Sequence, residues 1–432
     1  MIWNEDVECM EPESLKELQS DRLRALVRTL HAANPFYRAK LEAAGVGPGD
    51  IRDIGDLGKL PCTVKEDLRD HYPFGVFTKP VREVAEIHVS SGTTGNPTVV
   101  GYTKEDLKLW STVMARAICC AGGEPGDMVQ VAYGYGLFTG GLGCHYGALE
   151  AGMTVLPMSS GQTKKQLKLM QDFQPRVLCC TPSYALYMLE DAAEIGLDPR
   201  ASSWEIGVFG AEPWSESMRA EIQKSWAMRA TDIYGLSEII GPGVAQECPH
   251  QAGLHVFSDV FYPEILDAAG RPVPPGEYGE LTITTLTKQA MPLLRYRTRD
   301  IVSLATGRCA CGRTSPRISK VKGRTDDMII VRGINVFPSQ IEHVLLGIEG
   351  TQPHYQIVVD RKAGHLDELG IDVEVEEKVF SDELKVLRAF EEKITREIES
   401  VLGVNVKVRL VEPRSIERSM GKAKRVIDRR QV

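Results

Sequence analysis

The sequence lacks three features that would each define a class of protein. No apolar run reaches the roughly 20 residues that a membrane-spanning helix needs, so we expect no membrane span. Basic residues are not in excess: 51 lysines and arginines stand against 59 aspartates and glutamates, which predicts no nucleic-acid partner. The first residues are acidic and have no signal-peptide core, which predicts a cytoplasmic protein.

The chain also has no internal repeat and no low-complexity tract. Its composition, 43% hydrophobic and 25% charged residues, is typical of a globular protein and excludes disordered and coiled-coil classes. A length of 432 residues exceeds what one core usually serves, so we expect more than one domain. Of the ten cysteines, the adjacent pairs Cys119-Cys120 and Cys179-Cys180 lie in apolar segments, as buried thiols do in a reducing compartment.

Short β-rich runs alternate with helical stretches between residues 81 and 235. The runs are residues 127–131, 154–156, 176–178 and 206–209, and the helical stretches are 104–121, 164–173 and 215–227. This alternation predicts an α/β fold with a mostly parallel sheet covered on both faces. After residue 235, turns rich in glycine and proline separate short strands and predict a β-rich subdomain.

The pattern changes again near residue 323. The order strand 328–331, helix 338–346, strands near 356–359 and 371–375, helix 382–402 and strand 406–411 predicts a small α+β domain of ferredoxin-like type. We therefore expect a large N-terminal domain over residues 1–322 and a C-terminal domain over 323–432.

A run of hydroxyl residues and glycines follows the apolar stretch 81–89. It consists of Ser90, Ser91, Gly92, Thr93, Thr94 and Gly95. Consecutive backbone N–H groups in such a loop can bind a polyphosphate, and we expect the loop at the carboxyl end of a sheet strand. The run lacks the lysine of the common nucleotide-binding loop, and an ordinary surface loop is the alternative.

Four further segments, residues 232–238, 295–300, 323–333 and 419–423, follow this loop. In this order and spacing, the five segments resemble the adenylate-forming acyl-CoA synthetase superfamily. Residues 132–143, 253–255, 261–264 and 333–338 are similar to the phenylacetate–coenzyme A ligase branch. The resemblance implies that ATP activates an aryl carboxylate as an acyl-adenylate, that coenzyme A then accepts the acyl group, and that a homodimer forms.

The resemblance also implies roles for individual residues. Lys422 would offset the charge of the carboxylate and the α-phosphate in the adenylation step. Glu238 would bind Mg²⁺, which takes carboxylate oxygens. The nucleotide would contact the Ser90 loop together with Glu212, Asp232, Tyr234, Gly235, Asp300 and Arg324. Solvated or structural side chains are the alternative, and for Asp300 the alternative is an ion pair with Arg295, Arg297 or Arg299.

An acyl pocket follows from the same resemblance. Its expected walls are Tyr135, Phe138, Gly140, Gly141, Gly210, Ala211 and Pro242. Ordinary core packing is the alternative for the two aromatic residues. Asp326 is the expected hinge about which the C-terminal domain alternates between the two half-reactions.

Two positions depart from the superfamily pattern. The loop continues as Asn96-Pro97-Thr98 where a lysine is common, and Glu417 stands where a proline is common before the catalytic lysine. Fewer positive charges in the loop predict a weaker hold on pyrophosphate. Neither departure removes a reacting group.

A metal site is indicated by Cys309 and Cys311, which are spaced as a ligand pair. Cys248 and either His255 or His250 would complete a closed tetrahedral zinc site of the structural type, and we prefer His255. Reduced thiols in a loop are the alternative.

Two other functions fit parts of the pattern. A related adenylating transferase would pass AMP or the acyl group to an acceptor other than coenzyme A, or would use a different aryl acid. A nucleotide-sensing module would keep the fold without the reaction, although the presence of Lys422, Glu238 and Asp300 weighs against it.

Overall fold

The structure is a computed structural model that describes residues 1–90, 96–325, 329–331, 334–360, 367–379, 384–418 and 425–429. The α-helices are α1 (Glu5–Glu8), α2 (Pro12–Ala33), α3 (Pro35–Ala43), α4 (Lys65–Asp70), α5 (Lys104–Ala121), α6 (Thr139–Glu150), α7 (Thr163–Phe173), α8 (Pro182–Glu194), α9 (Glu216–Trp226), α10 (Pro338–Leu346) and α11 (Leu384–Leu402). Within this part of the chain, no helix has the length and apolar character needed to cross a membrane.

The strands fall into a large-domain set and a C-terminal set. The first is β1 (Glu86–Val89), β2 (Val99–Tyr102), β3 (Met128–Val131), β4 (Thr154–Pro157), β5 (Val177–Cys180), β6 (Ile206–Gly210), β7 (Arg229–Leu236), β8 (Gly241–Glu247), β9 (Leu254–Val256), β10 (Phe261–Leu266), β11 (Tyr278–Thr285), β12 (Tyr296–Ala305), β13 (Arg317–Ile318) and β14 (Gly323–Arg324). The second is β15 (Ile329–Val331), β16 (Ile334–Val336), β17 (Thr351–Asp360), β18 (Glu368–Val375), β19 (Val406–Val411) and β20 (Val426–Asp428).

Helix α5 illustrates how the sequence defines an element. The Thr103 side chain accepts a hydrogen bond from the Asp106 N–H (3.1 Å), and the Asp106 carboxylate accepts one from the Thr103 N–H (2.9 Å). This reciprocal pair satisfies two donors that a helix start leaves open. Gly122 ends the helix in the left-handed region, and Trp110 and Met114 are buried on its inner face.

The large sheet confirms the predicted α/β class. Strands β4, β3, β5, β6 and β7 pair in parallel and in that order. The direction changes at β8, and the continuation through β9, β13, β12, β11 and β10 is antiparallel. This antiparallel part corresponds to the β-rich subdomain that the glycine and proline turns predicted.

The C-terminal part has its own apolar core and a four-stranded sheet in the order β19-β18-β17-β20. The sequence placed the strand near 328–331 in this sheet, but β15 instead pairs with β16 in a separate hairpin. The fourth strand is β20, which lies parallel to β17 and was not predicted. Its three residues carry too short an apolar pattern to indicate a strand.

Candidate functional site

The Ser90 loop does not lie where the sequence placed it. Strands β1 and β2 form a separate antiparallel pair with Val89 opposite Val99, so Ser90 follows a strand of this pair and not a strand of the parallel sheet. The prediction failed because an apolar run followed by glycines is common to both settings. Residues 91–95, which include Ser91, Gly92, Thr93, Thr94 and Gly95, lie outside the described residues.

The two ends of this loop carry buried hydroxyls. The Ser90 N–H donates to the Thr98 carbonyl (2.9 Å), which closes the base of the hairpin. The Ser90 Oγ and Thr98 Oγ1 atoms are buried and have no hydrogen-bond partner within the described ranges. Buried hydroxyls usually have a partner, so a ligand oxygen would suit both atoms. Asn96, between them, is exposed.

Three predicted nucleotide ligands come together at one point. The buried Asp300 accepts a hydrogen bond from the Tyr234 hydroxyl (2.6 Å) and one from Arg324 Nη1 (3.1 Å). Burial and the neighbouring carboxylate hold the pKa of Tyr234 well above its ordinary value, so Tyr234 acts as the donor. Residues 66 positions apart in the chain thus form one polar cluster.

The neighbouring arginines do not pair with Asp300. Arg295 makes a two-pronged ion pair with Glu264, with both N–O distances 2.9 Å. Arg297 pairs with Glu280, and Arg299 Nη2 lies 3.9 Å from Glu66 Oε2. The alternative interpretation of Asp300, as the partner of one of these three arginines, is therefore wrong.

Asp232 lies two residues before Tyr234 on β7 and is also buried. Its Oδ1 accepts a hydrogen bond from Trp214 Nε1 (3.0 Å), and Lys320 Nζ lies 3.9 Å from the centre of the Trp214 ring. Burial raises the pKa of Asp232 to about 6, although the positive charge of Lys320 acts in the opposite direction. The side chain thus forms part of a polar layer beside Tyr234.

The turn after β6 carries Gly210, Ala211 and Glu212. Ala211 adopts a left-handed conformation with a φ of 70°, which is uncommon for a residue with a side chain. The Glu212 carboxylate accepts a hydrogen bond from the Ser183 N–H (2.8 Å) at the start of α8. The turn therefore lies at the carboxyl edge of the parallel sheet, where ligands bind in such folds.

Gly235 allows a close approach of β7 and β8. A Cβ atom at this position would lie 2.0 Å from the Gly241 carbonyl oxygen, so no larger residue fits without a backbone shift. Glu238 follows this point and is buried, with Oε1 3.4 Å from Lys65 Nζ. Its carboxylate oxygens are of the type that Mg²⁺ prefers.

Two lysines beside Glu238 were missed from the sequence. Lys65 lies at the start of α4, and Lys288 is buried, with Nζ 2.8 Å from the Ile239 carbonyl and 3.3 Å from that of Glu238. Burial lowers the pKa of Lys288 to about 8. No motif surrounds either lysine, so only their distance from Glu238 in the fold could identify them.

The predicted acyl-pocket residues lie around the start of α6. Tyr135 is half-buried, with its hydroxyl 3.2 Å from His145 Nδ1, and Phe138 is 42% exposed. A Cβ atom on Gly140 would lie 2.5 Å from the Phe138 ring, so glycine lets this ring lie over the helix start. Gly141 follows in the same helix, and Pro242 opposes Gly235 on β8.

The start of α6 contacts the segment that follows β7. Thr139 Oγ1 lies 3.3 Å from Ser237 Oγ, one residue before Glu238. Phe138, the residue before Thr139, therefore lies near the segment that follows β7.

Three cysteines and one histidine form a second cluster, in the β-rich subdomain. The ligand atoms of Cys248, His255, Cys309 and Cys311 all lie within 4.8 Å of one another. Cys248 Sγ is 3.9 Å from Cys309 Sγ, and Cys311 Sγ is 3.4 Å from His255 Nε2. Sulfurs about 2.3 Å from a tetrahedral zinc ion would lie about 3.8 Å apart, so the spacing fits such an ion.

The surroundings of this cluster match those of a metal site. His255 Nδ1 lies 3.3 Å from Ser315 Oγ, a contact that would fix the orientation of the ring. His250 is exposed and does not belong to the cluster, so the structure favours His255. All ten cysteines lie in the described part of the chain, and all are free thiols.

Besides residues 91–95, two more predicted residues lie outside the described part of the chain. They are Asp326, the expected hinge, and Lys422, the expected catalytic lysine. The described residue Arg324 stands two positions before Asp326, and Arg418 and Arg425 stand on either side of Lys422. The structure therefore gives the positions of residues that flank Asp326 and Lys422 in the chain.

Comparison with known proteins defines the class first. The model of the AMP-binding enzyme family matches residues 38–288, and that of the AMP-binding enzyme C-terminal domain matches residues 333–430. Four curated phenylacetate-coenzyme A ligases are 44–50% identical to the chain. The one from Thermus thermophilus is 50% identical, with all of both chains covered. The chain belongs to the AMP-binding enzyme family and, within it, to the phenylacetate-coenzyme A ligases.

Solved structures extend the comparison to domain arrangement. A 2-hydroxyisobutyryl-CoA ligase in the postadenylation state, with R3-HIB-AMP, is 30% identical and has a TM-score of 0.93, with 99% of this chain and 92% of that chain covered. The same ligase with 2-HIB-AMP and CoA in the thioesterification state has a TM-score of 0.73 at 31% identity, with 100% and 93% covered. The described arrangement is therefore similar to the postadenylation structure.

Proposed function

We propose that the protein is an AMP-forming ligase that joins phenylacetate to coenzyme A through a phenylacetyl-adenylate. The observation that carries this proposal is the identity of up to 50% with curated phenylacetate-coenzyme A ligases over the whole chain. The products would be phenylacetyl-CoA, AMP and diphosphate. The cluster of Asp300, Tyr234 and Arg324 supports the nucleotide part of the proposal.

In the first half-reaction, adenylation, different residues would bind the ribose, the phosphates and the reacting carboxylate. Asp300 would accept hydrogen bonds from the ribose hydroxyls, with Tyr234 and Arg324 fixing its carboxylate. The hydroxyls of Ser90 and Thr98 would donate to phosphate oxygens at the base of the loop. Lys422 would lie between the carboxylate and the α-phosphate, where a preorganised cation offsets the repulsion of two anions.

Glu238 would hold Mg²⁺ beside the phosphates. The ion would screen phosphate charge when bound, and a buried carboxylate suits a hard cation. Lys65 Nζ, 3.4 Å from Glu238 Oε1, adds positive charge on the same side of the site.

Cys248, His255, Cys309 and Cys311 would hold a structural Zn²⁺ ion. Four protein ligands leave no open position, so the ion would stabilise the fold and take no part in the reaction. The loop that carries the cysteine pair also binds the N-terminus, because the buried Arg313 donates to Glu8 Oε2 (2.6 Å) and to the Met1 carbonyl (3.0 Å). A zinc ion would therefore stabilise both segments.

The large domain and the C-terminal domain, divided near residue 323, would alternate about Asp326 between the two half-reactions. The C-terminal domain would first bring Lys422 to the nucleotide and would then rotate to admit the coenzyme A thiol. A homodimer and a location in the cytoplasm stay predictions, and light scattering of the purified protein tests the first.

A screen of acids tests the proposed activity. Purified protein is given ATP, Mg²⁺ and one acid from a panel of phenylacetate, hydroxyphenylacetates, indoleacetate, benzoates and short aliphatic acids, with and without coenzyme A. We expect AMP release that is largest with phenylacetate and needs coenzyme A for turnover. An apolar pocket separates homologous acids by about 1–3 kcal/mol per methylene, so related aryl acids should react more slowly. AMP release that ignores coenzyme A would favour the transferase with another acceptor.

A further inference from the structure

The segment that carries Lys422 is flanked by two arginines in the described part of the chain. Arg418 stands four residues before Lys422, and Arg425 stands three residues after it. The side chains of both arginines are largely buried, with 14% and 17% exposed. Their contacts therefore decide where the two ends of this segment lie.

Arg418 joins the two domains. Its guanidinium makes a two-pronged ion pair with Glu374 on β18 of the C-terminal domain, at 2.7 and 2.9 Å. The same Nη2 atom donates to Glu190 Oε1 on α8 of the large domain (2.9 Å). Glu374 is fully buried and also accepts the backbone N–H groups of Arg414 and Ile416, so the chain before Lys422 is fixed to its own domain. Glu190 is the contact that fixes it to the other domain.

Arg425, which follows Lys422 in the chain, is also connected to the large domain. Its guanidinium lies 4.5 Å from the Tyr355 ring centre, and Nη2 is 3.6 Å from Glu342 Oε2 on α10. The other oxygen of Glu342 accepts a hydrogen bond from the Ser215 N–H (3.0 Å) at the start of α9 in the large domain. Both ends of the lysine segment are thus linked through a glutamate to the large domain.

Glu190 is the centre of the first connection. Besides Arg418, its carboxylate lies 2.8 Å from His354 Nε2 and 3.6 Å from Arg414 Nε, both of the C-terminal domain. Arg414 also pairs with Glu194, one turn further along α8 (2.5 Å). An acidic face of α8 therefore meets a basic face of the C-terminal domain. Charged hydrogen bonds of this kind are directional, yet partly exposed ones are weak enough to separate when domains rotate.

We propose that Glu190 is a positioning residue for adenylation. By holding Arg418, it holds the start of the Lys422 segment against the large domain, and it releases this contact when the C-terminal domain rotates for thioester formation. The proposal rests on the role given to Lys422 in the proposed function. It extends that function to a residue that would touch neither substrate nor nucleotide.

The test separates the two half-reactions in Glu190→Gln. Adenylation is measured as phenylacetate-dependent exchange of pyrophosphate into ATP without coenzyme A, and thioester formation is measured from supplied phenylacetyl-AMP and coenzyme A. We expect adenylation to fall about tenfold, the effect of losing about one charged hydrogen bond, and thioester formation to change less than about twofold. Glu205→Gln, which removes an exposed partner of Arg176 within the large domain, is the matched control and should leave both rates unchanged.

Hydrogen–deuterium exchange over residues 412–429 gives a readout that needs no activity. We expect faster exchange there in Glu190→Gln than in the unmodified protein and in Glu205→Gln. Unchanged exchange, unchanged adenylation or an equal loss in both half-reactions would each overturn the positioning role. If no acid supports adenylation in the unmodified protein, the proposed function fails, and the exchange result alone still decides whether Glu190 anchors the segment.

A second variant guards against a folding defect in Glu190→Gln. Arg414→Gln removes a side chain that is 55% exposed, so it should fold normally. We expect a loss of about threefold in adenylation with thioester formation retained, because Arg414 shares the Glu190 contact at a longer distance. No selective loss in this variant would contradict the proposal.

Discussion

The large domain and the C-terminal domain contribute to the candidate site in opposite ways. On the large-domain side, Asp300 is 5% exposed and Tyr234 is 8% exposed, and a 2.6 Å hydrogen bond joins them. On the C-terminal side, Arg418 reaches the large domain through a hydrogen bond to Glu190, at a partly exposed interface. The difference matches the two tasks that we propose, because under the proposed function a nucleotide is held through both half-reactions whereas Lys422 acts in only one.

Lys422→Ala should have the largest effect of these variants, and the effect should fall on adenylation. Loss of the cation should lower adenylation by about 10²–10³-fold, as the removal of one transition-state donor does in other enzymes. Thioester formation from supplied phenylacetyl-AMP should be largely spared, because in the proposed alternation the C-terminal domain presents another surface in that step. Rates of the two half-reactions measured side by side check this, and an equal loss in both would contradict the alternation of domains.

Asp300→Asn should show the opposite pattern. The neutral amide removes the negative charge that faces Arg324 and would weaken the proposed contact to ribose, so we expect losses of about tenfold to a hundredfold in both half-reactions. Tyr234→Phe, which keeps the ring and removes only the 2.6 Å hydrogen bond, should cost less. Rates of both steps, measured for the two variants, check this. A loss confined to adenylation would show that Asp300 and Tyr234 do not act in both half-reactions.

Cys309→Ser should lower the stability of the protein but should not change the rate of adenylation relative to that of thioester formation. We expect about one zinc per chain in protein purified without chelator, a lower content in the variant, and a melting temperature lower by about 5 °C, as expected for a loss of about 2 kcal/mol. Cys62→Ser, outside the cluster, is the control. Sub-stoichiometric metal in the unmodified protein would argue for reduced thiols instead.

Asp232→Asn should produce an effect on stability that depends on pH. The folded protein raises the pKa of Asp232 from 3.8 to about 6 by burial, so the folded state binds a proton more readily than the unfolded state. Stability should therefore fall as pH rises from about 4 to 6, by up to about 3 kcal/mol at about 1.4 kcal/mol per pKa unit.

The amide variant carries no such titration. Its melting temperature relative to the unmodified protein should rise over that pH range and level off above it. Thermal melts at several pH values check this. A difference between the two proteins that does not vary with pH would mean that burial does not govern Asp232.

The sequence predicted those parts of the molecule in which a motif and its surroundings agree. The parallel strands could be predicted because short apolar runs alternate with segments of helical periodicity. The cysteine cluster could be predicted because the spacing of a metal-ligand pair is visible in the sequence itself. The sequence already preferred His255 to His250, and the structure agrees because His250 is exposed and lies outside the cluster.

The remaining features depend on contacts between distant segments. The hairpin of β1 and β2 looks like a strand of the parallel sheet in sequence, because both are short apolar runs before a turn. Strand β20 forms beside β17, and Lys65 meets Glu238, only after the chain has folded. The ion pairs around Glu190 likewise join residues that no local pattern connects.

The most direct test of the account is pyrophosphate exchange without coenzyme A. Purified protein, ATP, Mg²⁺ and labelled pyrophosphate are incubated with phenylacetate, and coenzyme A is added afterwards. The account predicts exchange into ATP that requires phenylacetate, followed on addition of coenzyme A by phenylacetyl-CoA and AMP in equal amounts. Exchange that is absent with phenylacetate and with every related aryl acid would contradict it.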